Sequence, residues 1–356
     1  MKSIGFKNSL KTAALSGLMA LLITSCDESF FEYEGDCTVK YYLDFVYDMN
    51  LKWADAFPSE VNSVNVYCFD SEGYFVKEFK ARVPETDAEG YRMPLDLDYG
   101  TYTLVGWCGL DNEVTDESFS VTEMVPGQST LDDLICSLNT KKDAQGKEYS
   151  DDRIYFLYHG NIDVELIDYQ DGSEHTFTMP LIKDTNHIRL MIQQASKDIT
   201  DKDVELSMTL KNGKMGWNNN LLGNTPIDYY PWDIQTDIVD YNKDSRADED
   251  AVMYQGIVAD MSTCRLLTSM VGDVTLKVKK TDGDVVAFNV PLVEYALMLK
   301  SYYEKAYGHP MTNQEFLDRK DEYEMTFFLD EGLKWMDVTI DVLSWRVVSH
   351  NYTLGN

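Results

Sequence analysis

The sequence predicts an all-β protein built of antiparallel β-sandwiches, and three observations predict it. Apolar residues recur with a period of two in run after run, the mark of half-buried strands. Those runs are rich in Tyr and β-branched residues and are broken by Gly, Asp and Asn turns, as sandwich sequences are. Some 330 residues follow an N-terminal leader, too many for one typical core and comfortable for two domains.

The leader comes first. Lys2, Lys7 and Lys11 make a basic start, and Thr12 to Thr24 is mostly apolar or small, including Leu18 to Ile23. The apolar run is too short to span a bilayer, so residues 1–25 read as a secretion signal. Leu22-Ile23-Thr24-Ser25-Cys26 resembles the lipobox of bacterial lipoproteins, which implies cleavage before Cys26 and lipidation of its thiol. Asp27 and Glu28 look like the acidic signal that sends lipoproteins of Bacteroidetes to the surface of the outer membrane. More than one acyl chain makes such an anchor stable.

Strand-like runs then follow in order. They centre on Val64 to Cys68, Tyr102 to Gly106, Ile162 to Leu166, Ile188 to Ile192, Val204 to Leu210, Val274 to Val278 and Val338 to Val342. The polar, turn-prone stretch from Lys141 to Glu148 divides them, giving an expected N-terminal sandwich with its tether over 26–150 and a C-terminal sandwich over 151–356. Two late segments depart from period two. Leu292, Ala296, Leu299 and Tyr303 fall at helical spacing and predict a helix from Leu292 to Ala306. Thr312-Asn313-Gln314-Glu315 is a capping-box pattern that should start a second short helix ending near Asp321. Both read as an insertion between strands of the C-terminal half.

Charge and side-chain inventory exclude much. The net charge is −30, and the leader holds three lysines and no acid, so the mature chain carries −33. Such a field repels phosphate backbones, which sets nucleic acid aside as a partner. Apart from Cys26, the cysteines are Cys37, Cys68, Cys108, Cys136 and Cys264, an odd number without metal-site spacing. Cys68 and Cys108 lie in strand-like runs and could face each other. His159, His175, His187, His309 and His350 form no metal-binding pair, and no Gly-x-Ser-x-Gly elbow, P-loop or dinucleotide turn occurs. No catalytic residue, metal or cofactor is therefore expected. Asp240, Asn242, Asp244, Asp248 and Asp250 partly match a calcium loop. Ser245 stands where Gly is wanted and Ala251 where a bidentate Glu is wanted, so the stretch reads as a solvated acidic loop. Trp217 with Asn218, Asn219 and Asn220, then Tyr229, Tyr230 and Trp232, has the rings and amides that bind carbohydrate, and equally those of a loop packed on a sandwich.

Several segments together resemble one family. They are Phe45 to Asn50, Ala54 to Val61 running into the strand ending Tyr67-Cys68-Phe69-Asp70, Tyr91-Arg92-Met93, Leu97 to Tyr102, Phe156 to Gly160, and Gln314 to Tyr323 with Trp345 beyond. In this order, over nearly all the mature chain, they resemble the fimbrillin-A-associated anchor proteins of Bacteroidales, basal subunits of surface fimbriae. Cys68 and Cys108 depart from the small or apolar residues expected there. The resemblance implies two tandem transthyretin-like antiparallel β-sandwiches, lipid on Cys26, and a non-enzymatic, outer-membrane-anchored subunit at the fimbrium base. It further implies pilin subunits as partners, joined by strand complementation, and an open edge was expected around Val338 to Val348. A surface glycan-binding lipoprotein is the alternative.

Overall fold

A computed structural model describes residues 38–84, 88–111, 118–194, 198–223, 225–238, 255–270, 275–280, 286–330, 335–342 and 345–350. The all-β expectation, with its short helical insertion in the C-terminal half, is borne out. In the first sandwich a three-stranded sheet, ordered Glu174–Pro180, Lys40–Val46 and Met93–Pro94, covers a five-stranded one. The latter runs Ile182–Lys183, Tyr158–Leu166, Gly100–Cys108, Ser63–Asp70 and Phe75–Arg82. Alternation along Ser63–Asp70 explains the layering. Val64, Val66 and Cys68 join the core of Leu43, Phe45 and Met179, whereas Tyr67 and Phe69 join that of Trp107 and Cys136. The five-stranded sheet is thus buried on both faces. Its second face meets a small sheet of Lys214–Gly216, Ile135–Leu138 and Phe119–Val121.

The second sandwich pairs two six-stranded sheets. One is ordered Asp233–Ile238, Gln255–Cys264, Thr185–Gln194, Glu322–Leu329, Trp335–Val342 and Trp345–His350. The other runs Val286–Pro291, Thr275–Lys280, Val204–Leu210, Ile227–Tyr229, Glu148–Ser150 and Lys141–Lys142. Pairing is mostly antiparallel. Parallel ladders join Lys40–Val46 to Glu174–Pro180, Thr185–Gln194 to Glu322–Leu329, and Ile227–Tyr229 to Glu148–Ser150.

The division expected at residue 150 falls between strands that the ladders bind together. Tyr158–Leu166 pairs along its whole length with Gly100–Cys108, and Glu174–Pro180 with Lys40–Val46. In the other direction, Ile135–Leu138 pairs with Lys214–Gly216 and Glu148–Ser150 with Ile227–Tyr229. A polar, turn-prone stretch marks a surface crossing, and here the chain crosses more than once. The first sandwich takes strands as far as Lys183.

The late helices lie between Val286–Pro291 and Glu322–Leu329. The single helix expected from Leu292 is two, Leu292–Met298 and Lys300–Tyr307, with Leu299 between them still right-handed at φ −73° and ψ −26°. Gly308, at φ +74°, ends the pair. The third helix is Asn313–Arg319, and Thr312 accepts from the Glu315 backbone N–H at 3.1 Å, half of the expected capping box. The Glu315 carboxylate takes Arg319 instead, at 3.0 Å.

Cys68 and Cys108 point into one core without facing each other. Cys68 stands opposite Leu104 and Cys108 opposite Val64, about 13 Å apart along the ladder. Both are free and buried, as are Cys136 and Cys264; Cys26 and Cys37 lie outside the described residues.

Gly106 and Gly160 are opposite one another in register, and Met179 of the covering sheet sits against both. A Cβ on Gly160 would stand 2.5 Å from the Pro180 carbonyl oxygen and 2.7 Å from Met179 Cγ. Gly160→Ala should therefore lower the unfolding free energy by about 1–3 kcal/mol in urea titrations. A midpoint unchanged from the native protein would refute the close approach of the two sheets.

Candidate functional site

Most residues singled out for chemistry turn out to be structural. His159 is buried and held neutral, its pKa lowered to about 4 chiefly by burial, so its Nε2–H donates to the Trp217 carbonyl at 2.8 Å. His175 stacks on Tyr41, His187 lies beside Asp260 at 3.2 Å, and His309 stacks on Trp53 at 4.5 Å. His350 lies in the last strand. The aromatic and amide stretch is partly packed into the core, with Trp217, Tyr230 and Trp232 half-buried. Tyr229 is fully buried with its hydroxyl donating to Asn212, Asn219 is buried at φ +61°, and the Trp217 indole N–H donates to Asp132 at 3.2 Å. The acidic run Asp240 to Asp250 and the lipidation residue Cys26 lie outside the described residues. No cluster of metal ligands occurs among the described residues.

Four of the segments that carried the family resemblance, Phe45 to Asn50, Ala54 to Val61, Phe156 to Gly160 and Gln314 to Tyr323, converge at the joint between the sandwiches. Two side chains shape the loop after Lys40–Val46. Asn50 donates to the carbonyls of Tyr47 and Ala54 at 2.9 and 2.8 Å, and Asp55 accepts from the backbone N–H groups of Tyr47 and Phe57, both at 2.9 Å. The loop so built turns the carbonyls of Asp48 and Asn50 toward the second sandwich. Arg319, at the end of its helix, donates to them at 2.8 and 3.2 Å. Its guanidinium lies 3.5 Å from the centre of the Trp53 ring, which Trp53 offers from a left-handed backbone at φ +54°.

Beside it, Lys183 is nearly enclosed. Its ammonium bonds to Asp321 at 2.5 Å and to Glu60 at 3.2 Å, and rests 3.5 Å from the centre of the Phe156 ring. The Tyr158 hydroxyl completes the group by donating to Glu60 at 3.0 Å. Deeper, Arg265 holds Asp318 through two bonds of 2.8 and 2.9 Å and lies 3.8 Å from Asp184, which accepts from Asn219 at 2.9 Å. Gln314 donates to the same Asp318 at 2.9 Å.

Burial pushes the Asp184 carboxyl up to about 7, against the pull of Arg265. Burial likewise lowers Lys320 to about 8. Each joint cation is shared among several acceptors, an arrangement that fixes geometry. The sequence reading had the right segments and missed Lys183, Asp184 and Arg265. A Lys-Asp pair straight after Leu181-Ile182 at a strand's end was the one available signal.

With this geometry in view, the comparisons are consistent. A profile of the fimbrillin-A associated anchor proteins Mfa1 and Mfa2 matches residues 33–351. The chain is similar to the minor fimbrium anchoring subunit Mfa2 of Porphyromonas gingivalis, 26% identical over 165 residues that cover 45% of this chain and 48% of that protein. It thus spans about half the length of the curated relative it matches. Among solved structures it is similar to a candidate adhesin from Bacteroides thetaiotaomicron, with 29% identity, a TM-score of 0.72, and 88% and 99% of the two chains covered. A candidate polysaccharide-binding protein of the same organism matches at 25% identity and a TM-score of 0.70, over 88% and 99%. The P. gingivalis fimbrial anchor protein Mfa2 matches at 18% and 0.60, over 89% and 100%, a likeness of fold.

Two outcomes follow from the joint. Arg319→Ala removes the side-chain donor from the Asp48 and Asn50 carbonyls, which keep their bonds from the Asn50 and Trp53 backbone N–H groups, and takes the cation off the Trp53 ring. The substitution should cost about 1–3 kcal/mol, with Arg319→Lys restoring little, as read by urea denaturation. The Asp184 carboxyl has a folded pKa near 7, above the ordinary 3.8, so the native state binds the extra proton between those values. Its contribution to stability is present at low pH and is lost as pH rises through about 7. Asp184→Asn should remove that loss, gaining on the order of 2–3 kcal/mol relative to the native protein between pH 5 and 8. Parallel stability curves for the two proteins would sink this assignment.

Proposed function

This chain belongs to the family of fimbrillin-A associated anchor proteins, and from that premise we propose that it is a lipoprotein anchoring the base of a surface fimbrium in the outer membrane. The observation that carries the reading is the extent of the family match, residues 33–351, nearly everything after the leader. In this reading Cys26 carries the lipid and the chain after it tethers the first sandwich to the membrane. The joint keeps the second sandwich at a fixed distance and orientation. The protein acts without catalysis and without a cofactor, and pilin subunits are its partners.

Docking by strand addition needs an open sheet edge, whose unpaired backbone groups supply affinity. The segment from Val338 to Val348 contributes a hairpin to the second sandwich. Trp335–Val342 is interior to its sheet, and among the described residues Trp345–His350 pairs with that strand alone, at the sheet's end. In this reading the docking edge is Trp345–His350.

A pull-down from outer-membrane fractions tests the whole reading. Pilin subunits should accompany the native protein, and Cys26→Ala should release fimbriae into the medium. Removal of residues 345–350 should abolish pilin capture while the joint still holds the sandwiches together. Folding intact with capture unchanged would move the docking edge elsewhere. Enrichment on polysaccharide without any pilin would favour a glycan-binding lipoprotein, the property for which one structural neighbour is described.

A further inference from the structure

The joint occupies one end of the first sandwich, and the opposite end has a different character. In register, Gly100 faces Leu166 and Tyr102 faces Asp70, so the turns around 97–99, 167–173 and 71–74 gather at one end. Lys40–Val46 begins at that same end, with the Lys40 N–H donating to the Ser173 carbonyl at 2.9 Å, and its other end leads through Tyr47 to the joint. The described chain therefore enters where these turns lie.

Tyr99, Ile167 and Tyr169 stand exposed there by 45%, 40% and 50%, and Tyr74 on the neighbouring turn by 40%. They are held in place from beneath. The Tyr41 hydroxyl donates to the Ile167 carbonyl and accepts from the Ile167 N–H, both at 2.8 Å. The Tyr169 ring packs 5.1 Å from His175, which stacks 5.3 Å from Tyr41. Tyr99 lies against Asp168 and the Val39 backbone. Asp168 accepts from the Gln170 N–H at 3.1 Å and Asp171 from the Ser173 N–H at 2.9 Å, bonds that shape the turn while both residues stay exposed beside the rings.

We infer that this end is a docking face for the lipid surface that holds the chain, with Tyr99, Ile167 and Tyr169 settling at headgroup depth. The inference rests on the lipoprotein reading and adds to it a defined posture on the membrane. Eleven residues separate Cys26 from Thr38, a reach of at most about 40 Å. A tether that short holds the face at a local concentration on the order of millimolar, so weak contacts suffice. Tyrosine suits the role, having an apolar ring and a polar tip that favour the interface. Asp98, Asp168, Asp171 and Glu174 crowd this end, so the fitting surface is one of zwitterionic headgroups and not an anionic one.

Hydrogen exchange read by mass spectrometry tests this on the mature lipidated chain in phosphatidylcholine vesicles, against soluble Cys26→Ala with the same vesicles. Peptides covering 97–100 and 167–173 should exchange several-fold more slowly in the vesicle-bound chain, and those covering 300–307 equally in both. The triple variant Tyr99→Ser, Ile167→Ser, Tyr169→Ser should still float with vesicles and lose the protection. Equal exchange in a chain that floats overturns the docking face. A native chain that does not float overturns the lipoprotein reading instead. Coupling the Cys26 thiol to a maleimide phospholipid then tests the face by itself, with the same two outcomes.

Discussion

The guanidinium of Arg319 lies between the ring of Trp53 and the carbonyls of Asp48 and Asn50, and the relation of the two sandwiches depends on it. Guanidinium is planar, so it can stack on indole while its edge donates to two acceptors. An ammonium on a flexible stem would satisfy one of these contacts at a time. The loop that receives it is made rigid by Asn50 and Asp55 through bonds to its own backbone. The receiving carbonyls are thus fixed before the second sandwich arrives, and little ordering entropy opposes the contact.

Around this contact the electrostatics are unusual for so acidic a chain. With 61 acidic and 31 basic residues, most of the surface is negative, yet Lys183, Arg265, Arg319 and Lys320 are all largely enclosed near one joint. Burying a cation is costly unless acceptors surround it. Acids are plentiful here, and Glu60, Asp321 and Asp318 supply the acceptors. Asp184 is the member at odds with the rest. It stands 3.8 Å from Arg265 while Asp318 takes both bonds of the fork, and burial raises its pKa accordingly. Lys183 bonds both of its carboxylates, whereas Arg265 bonds Asp318 and leaves Asp184 beyond hydrogen-bond reach, so the weak point of the joint is Asp184.

Much of the fold was legible because its causes are local. Period two placed the strands, Thr312 announced its helix, and spacing from Leu292 found the helical pair within a residue of its end. The chain's path was not legible, because strand order is set by long-range ladders. Tyr158–Leu166 returns to the first sandwich through pairing with Gly100–Cys108, and nothing within either run specifies the partner. The site behaved in the same way. Gln314, Asp318, Arg319 and Asp321 were visible as a cluster in sequence, but their partners Asp48, Asn50, Lys183 and Arg265 are brought to them by the fold. The aromatic and amide stretch, which composition left open between a surface and a packed loop, divides: Tyr229 and Asn219 are buried among polar groups of the core, while Trp217, Tyr230 and Trp232 stay half-buried.

That four of the resembling segments lie at the joint bears on what the resemblance can be asked to explain. Phe45 to Asn50, Ala54 to Val61, Phe156 to Gly160 and Gln314 to Tyr323 all help hold one sandwich against the other. A likeness carried there concerns how the two sandwiches are fixed, and so concerns reach and stiffness. Partner choice is decided where side chains meet other molecules, at sheet edges and exposed turns. A rigid joint is nevertheless what lets those remote surfaces work together. With the sandwiches fixed, the end bearing Tyr99 and Tyr169 and the edge formed by Trp345–His350 keep a constant relation, so tension applied at one is transmitted to the other. Were the joint loose, tension would first draw the sandwiches apart, and neither surface would hold its orientation.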